Sequence, residues 1–265
     1  MLLGNYLTTA WRNILRHKLF SIINILGLAI GLAAVMLITL FVRYELSFDT
    51  FWENADNIYR VHSHYDTPGQ DPESLVLSSP PTVEAMAKDY PQITRFARLN
   101  TRDRTVTFGD NVFQDEITIA DKAVLEIFNF EAIAGNLPTA LDDNNGLVLT
   151  ETIATKYFGS ENPIGRVLTI ETPDLTKDYQ VNAVIEDLPK NSKIGFKILV
   201  PVVIDELEFF KFWFSTSVQA YFMVEPGTNM GAIEDTLVPF VDRNFPPLPF
   251  GDGSLKVSNV VTVTI

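Results

Sequence analysis

The chain has 265 residues, of which 46% are hydrophobic, and its formal net charge is −13. It contains no cysteine, so it forms no disulfide and has no thiolate chemistry, which fits a bacterial protein that faces the periplasm. The acidic balance argues against nucleic acid as a partner, because phosphate binding depends on Lys and Arg.

The first eighteen residues, MLLGNYLTTAWRNILRHK, have the period of an amphipathic helix. Arg12 and Arg16 fall on a polar face, and Lys18 follows them. The apolar face carries Leu3, Leu7, Ala10, Trp11, Ile14 and Leu15. This pattern predicts a helix over residues 1–18 that lies in the lipid headgroup layer, with Trp11 at the interface. The alternative is a helical continuation of the following segment without a surface role.

Residues 20–42, FSIINILGLAIGLAAVMLITLFV, contain no charge and no proline. A helix of this length is about 35 Å long, enough to cross a hydrocarbon core of about 30 Å with some tilt. The apolar region of a cleaved signal peptide is shorter, about 7–15 residues. The segment therefore favours a retained transmembrane helix over residues 19–43 rather than a cleaved signal or a soluble core helix.

The charges that flank this span predict its direction. Arg12, Arg16 and Lys18 precede it, whereas Arg43 is followed by several acidic residues. Lys and Arg in short flanks are held on the cytoplasmic side. We therefore expect a cytoplasmic N-terminus, a main domain in the periplasm, and a location in the bacterial inner membrane.

Gly27 and Gly31 form a GxxxG pair within the span. Small residues four apart let another helix approach closely in a bilayer. The pair predicts a packing face for helices supplied by another chain or by a second copy in a dimer. Glycine is also common in membrane helices generally, so an ordinary lipid-facing role is the alternative.

The rest of the chain is strongly acidic and mixes helices with strands. Of the 20 basic residues, 16 remain from Tyr44 onward, with all 33 acidic ones, a net of −17. Apolar spacing predicts a helical stalk over residues 44–60, which gives way to a strand near Ile58. Helices are predicted over 81–90, near 120–128, over 150–159 and over 229–245. Strands are predicted over 95–99, 105–109, 112–119, 146–150, 166–171, 179–188, 197–204 and 215–227.

This irregular alternation, with a hairpin turn at FGDN, predicts an α+β domain over residues 61–265, with two subdomains. The helix over 150–159 has a threonine at its start and a glycine at its end, which are typical caps.

A search for catalytic, cofactor-binding and metal-binding motifs predicts none of these sites. LDDNNG lacks carboxylates at the first and twelfth positions of a calcium loop, and GSENPIG lacks the Lys-Ser pair of a phosphate loop. His62 and His64 share a strand face but have no third ligand in view. FFKFWF, residues 209–214, is an apolar patch that fits a core or strand-edge segment, a subdomain interface or a membrane contact.

Several long stretches resemble MacB/FtsX-type ABC transporter permeases, in the form common in Bacteroidetes. They are WRNILRHKLFSIINILGLAIGL, YELSFDTFWENADNIYRV, GNLPTALDDNNGLVLTETIATKYFGSENPIGRVLTIE and YQVNAVIEDLPKNSKIGFKILVP. The resemblance covers the chain to about residue 245.

The resemblance implies one membrane helix, a stalk and a MacB-like periplasmic core domain with two α+β lobes. It implies a cytoplasmic ABC ATPase that drives movement in the membrane helices and, through the stalk, in the periplasmic lobes. The chain is expected to be no enzyme, to use no cofactor, and to serve efflux or export of lipoproteins or peptides.

The resemblance departs at the C-terminus, because family members carry three further spans that this sequence lacks. A fragment, a truncated product and a separate exterior subunit remain open. The alternative function is a single-span membrane-anchored binding or sensor module outside the cytoplasm.

Overall fold

The computed structural model describes residues 2–65, 71, 73–172, 176–203, 207–213, 215–245 and 260–264. The chain divides into two units, Met1–Phe48 and Asp49–Ile265, which we call the helical unit and the globular unit. Phe214 of the FFKFWF patch lies outside the described residues, as do the side chains of Leu3, Leu7 and Ala10.

The helical unit consists of two helices, α1 (Leu2–Arg16) and α2 (Lys18–Glu45), separated at His17. None of the residues of α2 is buried. Among the described residues, α2 is the one helix long and apolar enough to cross a membrane. The hydroxyl of Thr39 donates a hydrogen bond to the Val35 carbonyl at 2.8 Å, so this polar group is satisfied within the helix itself. The predicted apolar span therefore lies wholly inside α2.

The predicted helical stalk beyond Glu45 is wrong. The chain leaves α2 in turns, forms a 3₁₀ turn at Ala55–Asn57, and enters the first strand at Ile58. The apolar spacing that predicted a helix instead reflects residues such as Trp52, which is buried in the core of the globular unit. The predicted start of the strand is confirmed.

The described residues of the globular unit form one mixed sheet of eleven strands. The strands are β1 (Ile58–Tyr65), β2 (Glu73–Leu75), β3 (Ile93–Phe108), β4 (Asn111–Ala120), β5 (Ala132–Gly135), β6 (Gly146–Thr150), β7 (Val167–Glu171), β8 (Thr176–Ile185), β9 (Ile198–Pro201), β10 (Gln219–Val224) and β11 (Val260–Thr264). Their order is β11-β1-β10-β3-β4-β9-β6-β8-β5, with β2 beside β1 and β7 beside β3 and β8. The pairs β4–β9 and β6–β8 are parallel and the others are antiparallel.

Five helices pack on this sheet: α3 (Pro80–Asp89), α4 (Val124–Ile127), α5 (Glu151–Phe158), α6 (Met230–Glu234) and α7 (Leu237–Asn244). The predicted α+β class is therefore confirmed, whereas the division into two subdomains stays a prediction. Residues 95–99 and 105–109 were predicted as separate strands, but both stretches, as far as Phe108, belong to the single strand β3. The helix predicted over 229–245 is broken at Asp235 and Thr236.

Strand β3 is continuous because its polar middle still has a partner on the next strand. Arg102 pairs with Ile117 and Arg104 with Asp115 in the β3–β4 ladder. Backbone hydrogen bonding therefore extends the strand through residues whose side chains do not follow an apolar pattern. The hairpin turn at Gly109, predicted from FGDN, is confirmed.

Buried side chains form three clusters around the sheet. One contains Trp52, Phe128, Phe196 and Tyr221, close to the start of the globular unit. A second lies beneath α5, and a third joins α3 and α7 to Phe210.

Candidate coupling site at the start of the globular unit

The residues selected from the sequence lie along the helical unit. Trp11, Arg12, Arg16 and Lys18 are all exposed. Apart from the neighbouring backbone of α2 itself, no described atom lies within 4 Å of a Cβ placed on Gly27 or Gly31. The interfacial role of α1 and the packing role of the two glycines stay predictions.

The two histidines of β1 do not form a metal site with other described residues. His62 accepts a hydrogen bond from Arg60 Nε at 3.0 Å, and burial followed by the nearby charge of Arg60 lowers the pKa of His62. His64 Nε2 is buried without a hydrogen-bond partner among the described residues. No group of three or more metal-ligating side chains occurs in the described part of the chain.

The FFKFWF patch divides between core and surface. Phe210 is buried, and the guanidinium of Arg98 lies 5.1 Å from its ring centroid. Phe212 is exposed, and the ring of Trp213 packs on Phe245 with centroids 4.8 Å apart. Its predicted core role therefore applies to Phe210.

The most unusual residue of the globular unit is its first one, Asp49. It is fully buried and has φ of 57°, the left-handed region that side chains other than glycine rarely adopt. It is the one non-glycine residue with positive φ in the part of the chain that the structure describes. Buried, strained residues of this kind occur where the surrounding structure holds them in place, which directs attention to the contacts of Asp49.

The carboxylate of Asp49 is surrounded by neutral hydrogen-bond donors. Its Oδ1 accepts from the Trp52 indole at 3.2 Å, from the Ser192 hydroxyl at 3.1 Å and from the Lys193 amide at 3.0 Å. The Lys193 amide also lies 3.2 Å from Oδ2, and the Asp49 amide donates to the Asn191 carbonyl at 3.1 Å. Residues 49–52 are therefore fastened to residues 191–193, a segment about 140 positions further along the chain.

The segment that receives Asp49 is itself attached to α5. Asp187 accepts hydrogen bonds from the amide of Thr152, at 3.1 Å, and from its hydroxyl. The bond from the Thr152 hydroxyl contributes most to lowering the pKa of Asp187, and the bond from the amide adds to it. Partial burial acts in the opposite direction and raises the pKa. Asp187 thus caps the N-terminus of α5, where the helix dipole favours a negative charge. Thr150, the cap predicted from the sequence, occupies the N-cap position but makes no capping bond with its side chain.

The other end of α5 is held by a second carboxylate. Asp115 on β4 is buried and accepts from Lys156 Nζ at 2.8 and 2.6 Å and from the Tyr157 hydroxyl at 2.5 Å. Burial, and then the bond to Asp115, raise the pKa of Tyr157. The glycine stop predicted at Gly159 is confirmed by its φ of 62°. Hydrogen bonds therefore join Asp49 to residues 191–193, and Asp187, earlier in the same segment, is bonded to α5, which Asp115 in turn attaches to β4.

Sequence reasoning missed Asp49 and Asp187. Neither belongs to a recognised catalytic or metal motif, and the partners of each are distant in sequence. A usable signal was present, because both lie inside the long stretches LSFDTFWENAD and VIEDLPKNSKIG that carry the family resemblance.

Comparisons with known proteins are consistent with this architecture. A family model described as "MacB-like periplasmic core domain" matches residues 21–239. The chain is also similar to the pyoverdine export ATP-binding/permease protein PvdT of Pseudomonas fluorescens (strain Pf0-1), with 28% identity over 169 residues. That match covers 61% of this chain and 25% of the relative, so this chain spans about a quarter of the relative's length.

Two crystal structures share the fold. One is a domain of a protein assigned as a permease from Porphyromonas gingivalis, with TM-score 0.65, 23% identity, and coverage of 81% of this chain and 90% of the other. The second is the periplasmic region of MacB from Actinobacillus actinomycetemcomitans, with TM-score 0.52, 13% identity, and coverage of 79% and 89%. At these identities the likeness concerns the fold alone.

Proposed function

Because this chain belongs to the family of MacB-like periplasmic core domains, we propose that it is the N-terminal part of an ABC transporter permease subunit of the export type. In this proposal α2 spans the bacterial inner membrane, the N-terminus is cytoplasmic and the globular unit lies in the periplasm. The basic flank of α2, with Arg12, Arg16 and Lys18 before the span, supports that orientation. A cytoplasmic ABC ATPase and further permease helices are the proposed partners.

The proposed role of the globular unit is to change conformation in response to the ATPase. The observation that carries this proposal is the arrangement at Asp49. The residue directly follows the helical unit in the chain, and it is bonded to residues 191–193 rather than only to its sequence neighbours. A displacement that arrives along the chain from α2 would therefore act on this segment and, through Asp187, on α5.

The attachment at Asp49 is suited to transmitting a displacement, because several hydrogen bonds and the backbone conformation define its geometry. The left-handed backbone sets the direction of the chain, and the carboxylate oxygens fix the position of the Lys193 amide. The donors in these contacts are neutral groups, so the attachment depends on hydrogen-bond direction more than on charge attraction. Loss of the carboxylate would release the segment while leaving the sheet paired.

The test uses the complete transporter, with its partner ATPase, in lipid nanodiscs. Hydrogen exchange of residues 189–195 is measured with and without a non-hydrolysable ATP analogue. We expect the nucleotide to change exchange in this segment of the wild-type protein. In Asp49→Ala the nucleotide-dependent change should disappear, while ATP hydrolysis by the partner continues.

Asp49→Asn is the matched control, because asparagine tolerates the left-handed conformation and keeps one acceptor oxygen. It should retain most of the nucleotide-dependent change. A nucleotide response that persists in Asp49→Ala, or that is absent from the wild type, would contradict coupling at this residue. A single-span sensor would show no response to nucleotide at all.

The orientation is tested separately with single cysteines at Thr9 and Ser74, since the natural chain has none. In cells with a permeabilised outer membrane, a membrane-impermeant maleimide should label the Ser74 position and spare the Thr9 position. The reverse labelling would overturn the proposed topology and leave the coupling test unaffected.

A further inference from the structure

A small pocket opens between the turn after Asp49 and the adjoining ends of β5 and β8. Its volume is about 210 Å³. The aromatic residues Phe51, Trp52 and Phe130 line it, together with the acidic residues Glu131 and Glu186. We call it the aromatic–acidic pocket. No Lys or Arg is among its lining residues.

The aromatic wall is ordered by ring contacts. The ring centroids of Phe51 and Trp52 are 4.6 Å apart, and those of Trp52 and Phe130 are 5.5 Å apart in an edge-on arrangement. Trp52 is only 5% exposed, whereas Phe51 is 38% exposed. The rings therefore form a preorganised surface with one side open, and aromatic faces carry the negative part of the ring quadrupole.

The carboxylates of this pocket have no counterion in the described part of the chain. The Glu186 amide donates to the Glu131 carbonyl at 3.0 Å, so the two residues are neighbours on adjacent strand ends. Neither side chain makes a hydrogen bond or an ion pair with another described residue. Asp187, which also borders the pocket, already accepts bonds from Thr152. Two acidic residues without a counterion among the described residues therefore line the same pocket as three aromatic residues, and both features attract a cation.

We propose that the aromatic–acidic pocket binds an organic cation, namely a guanidinium or alkylammonium group about as large as an amino-acid side chain. Its volume is below the roughly 300–1,000 Å³ of pockets for drug-sized ligands, which favours a side-chain-sized group. A guanidinium fits best, because its plane stacks on aromatic rings and its N–H groups match carboxylates. An arginine side chain of a partner protein and a free amine share this chemistry.

Binding of a ligand in this pocket would affect the hydrogen bonding of Asp49. The ring of Trp52 lines the pocket, and the indole N–H of the same side chain donates to Asp49 Oδ1 at 3.2 Å. A cation placed against this ring therefore changes the environment of one of the donors that hold Asp49. The binding proposal itself stands whether or not the chain couples to an ATPase.

The test uses the full chain in a maltoside detergent, because choline-headed detergents would compete for the pocket. Trp11→Phe and Trp213→Phe leave Trp52 as the single tryptophan. A capped Gly-Arg-Gly peptide should shift Trp52 fluorescence to saturation, and the isosteric neutral citrulline peptide should not. Agmatine is titrated in parallel. If agmatine and the arginine peptide bind with equal affinity, a free amine is a sufficient ligand. If the peptide binds more tightly, the ligand is an arginine side chain of a partner protein.

The matched variants separate the pocket from overall charge. Glu131→Gln/Glu186→Gln should raise the Kd of the arginine peptide by roughly tenfold or more, about 1.4 kcal/mol. Glu171→Gln/Glu225→Gln makes the same change in net charge away from the pocket and should leave Kd unchanged. High salt should weaken binding to the unaltered pocket, because its carboxylates are exposed. An equal response to the citrulline peptide, or an unchanged Kd in the pocket variant, would overturn the proposal.

Discussion

Two carboxylates of the globular unit, the half-buried Asp121 and the fully buried Asp49, are held in opposite ways. Asp121 forms a bidentate ion pair with Arg98, in which Nε donates to Oδ2 at 2.7 Å and Nη2 donates to Oδ1 at 2.9 Å. Asp49 instead accepts hydrogen bonds from neutral groups of Trp52, Ser192 and Lys193. The ion pair joins side chains of the core, whereas Asp49 positions the backbone of a distant segment. The first arrangement therefore supports the fold, and the second specifies where one segment lies relative to another.

The largest effect is expected from breaking the ion pair. Arg98 is 3% exposed and Asp121 is half-buried, so Arg98→Met leaves the Asp121 carboxylate partly shielded from solvent and without its cation. We expect a loss of about 3 kcal/mol or more in the free energy of unfolding, measured by denaturant titration in detergent.

Arg98→Met/Asp121→Leu is the informative control for that variant. It removes both members of the ion pair and should recover part of the loss. Equal stability of Arg98→Met and wild type would show that the pair contributes no more than a surface contact.

A graded and somewhat smaller effect is expected at Asp49. Asp49→Ala should cost about 2–3 kcal/mol, because buried donors lose their acceptor and alanine is strained at positive φ. Asp49→Gly removes only the carboxylate and should be intermediate, and Asp49→Asn should be mildest. The order is measured by thermal unfolding. If Asp49→Gly and Asp49→Ala lower the stability equally, backbone strain at positive φ does not affect the stability. The difference between Asp49 and Asp121 would then concern their hydrogen-bond partners alone.

Asp187 should show a moderate effect that depends on pH. Asp187→Ala removes the cap of α5 and should cost about 1 kcal/mol. The pKa of Asp187 is lowered in the folded protein, so its contribution is present above the unfolded pKa near 3.8 and is lost as pH falls through the folded value. Asp187→Asn keeps an acceptor without the charge, and its unfolding curve should be flatter than wild type below about pH 4. Parallel pH curves for the two proteins would contradict the charge role.

The smallest expected effect concerns His62, which faces Arg60, His64 and Lys193. Its pKa is lowered by burial and by these neighbours, so the unfolded chain binds a proton more readily than the folded protein. Stability should therefore decline as pH falls below about 6.5 toward the folded pKa. His62→Gln should remove part of this decline in thermal unfolding measured between pH 7 and 5, and His17→Gln in the helical unit should not. A decline of equal size in all three proteins would assign it to other groups.

The sequence predicts well those features that depend on neighbouring residues. The apolar run of α2, the FGDN hairpin and the glycine after α5 are each encoded within a few positions, and all are confirmed. Asp49 could not be identified as a contact residue in this way, because Ser192 lies 143 positions away. The prediction of a helical stalk was wrong for a related reason. Trp52 packs on Phe128 in the core of the globular unit, and its spacing from Phe48 happens to match the period of a helix. Pairing with β4 likewise extended β3 beyond its apolar segments.

The order of strands has a consequence for synthesis. Strand β1 pairs with β10, where Ile58 lies opposite Met223, and its other edge pairs with β2 and β11. At about 5–20 residues per second, roughly 8–30 s separate the emergence of these two partners from the ribosome. During that interval β2 can pair with the end of β1, but the rest of the strand presents unpaired backbone groups, which are prone to aggregation. We therefore expect the growing chain to be most vulnerable at its earliest strand until the late partner β10 has been synthesised.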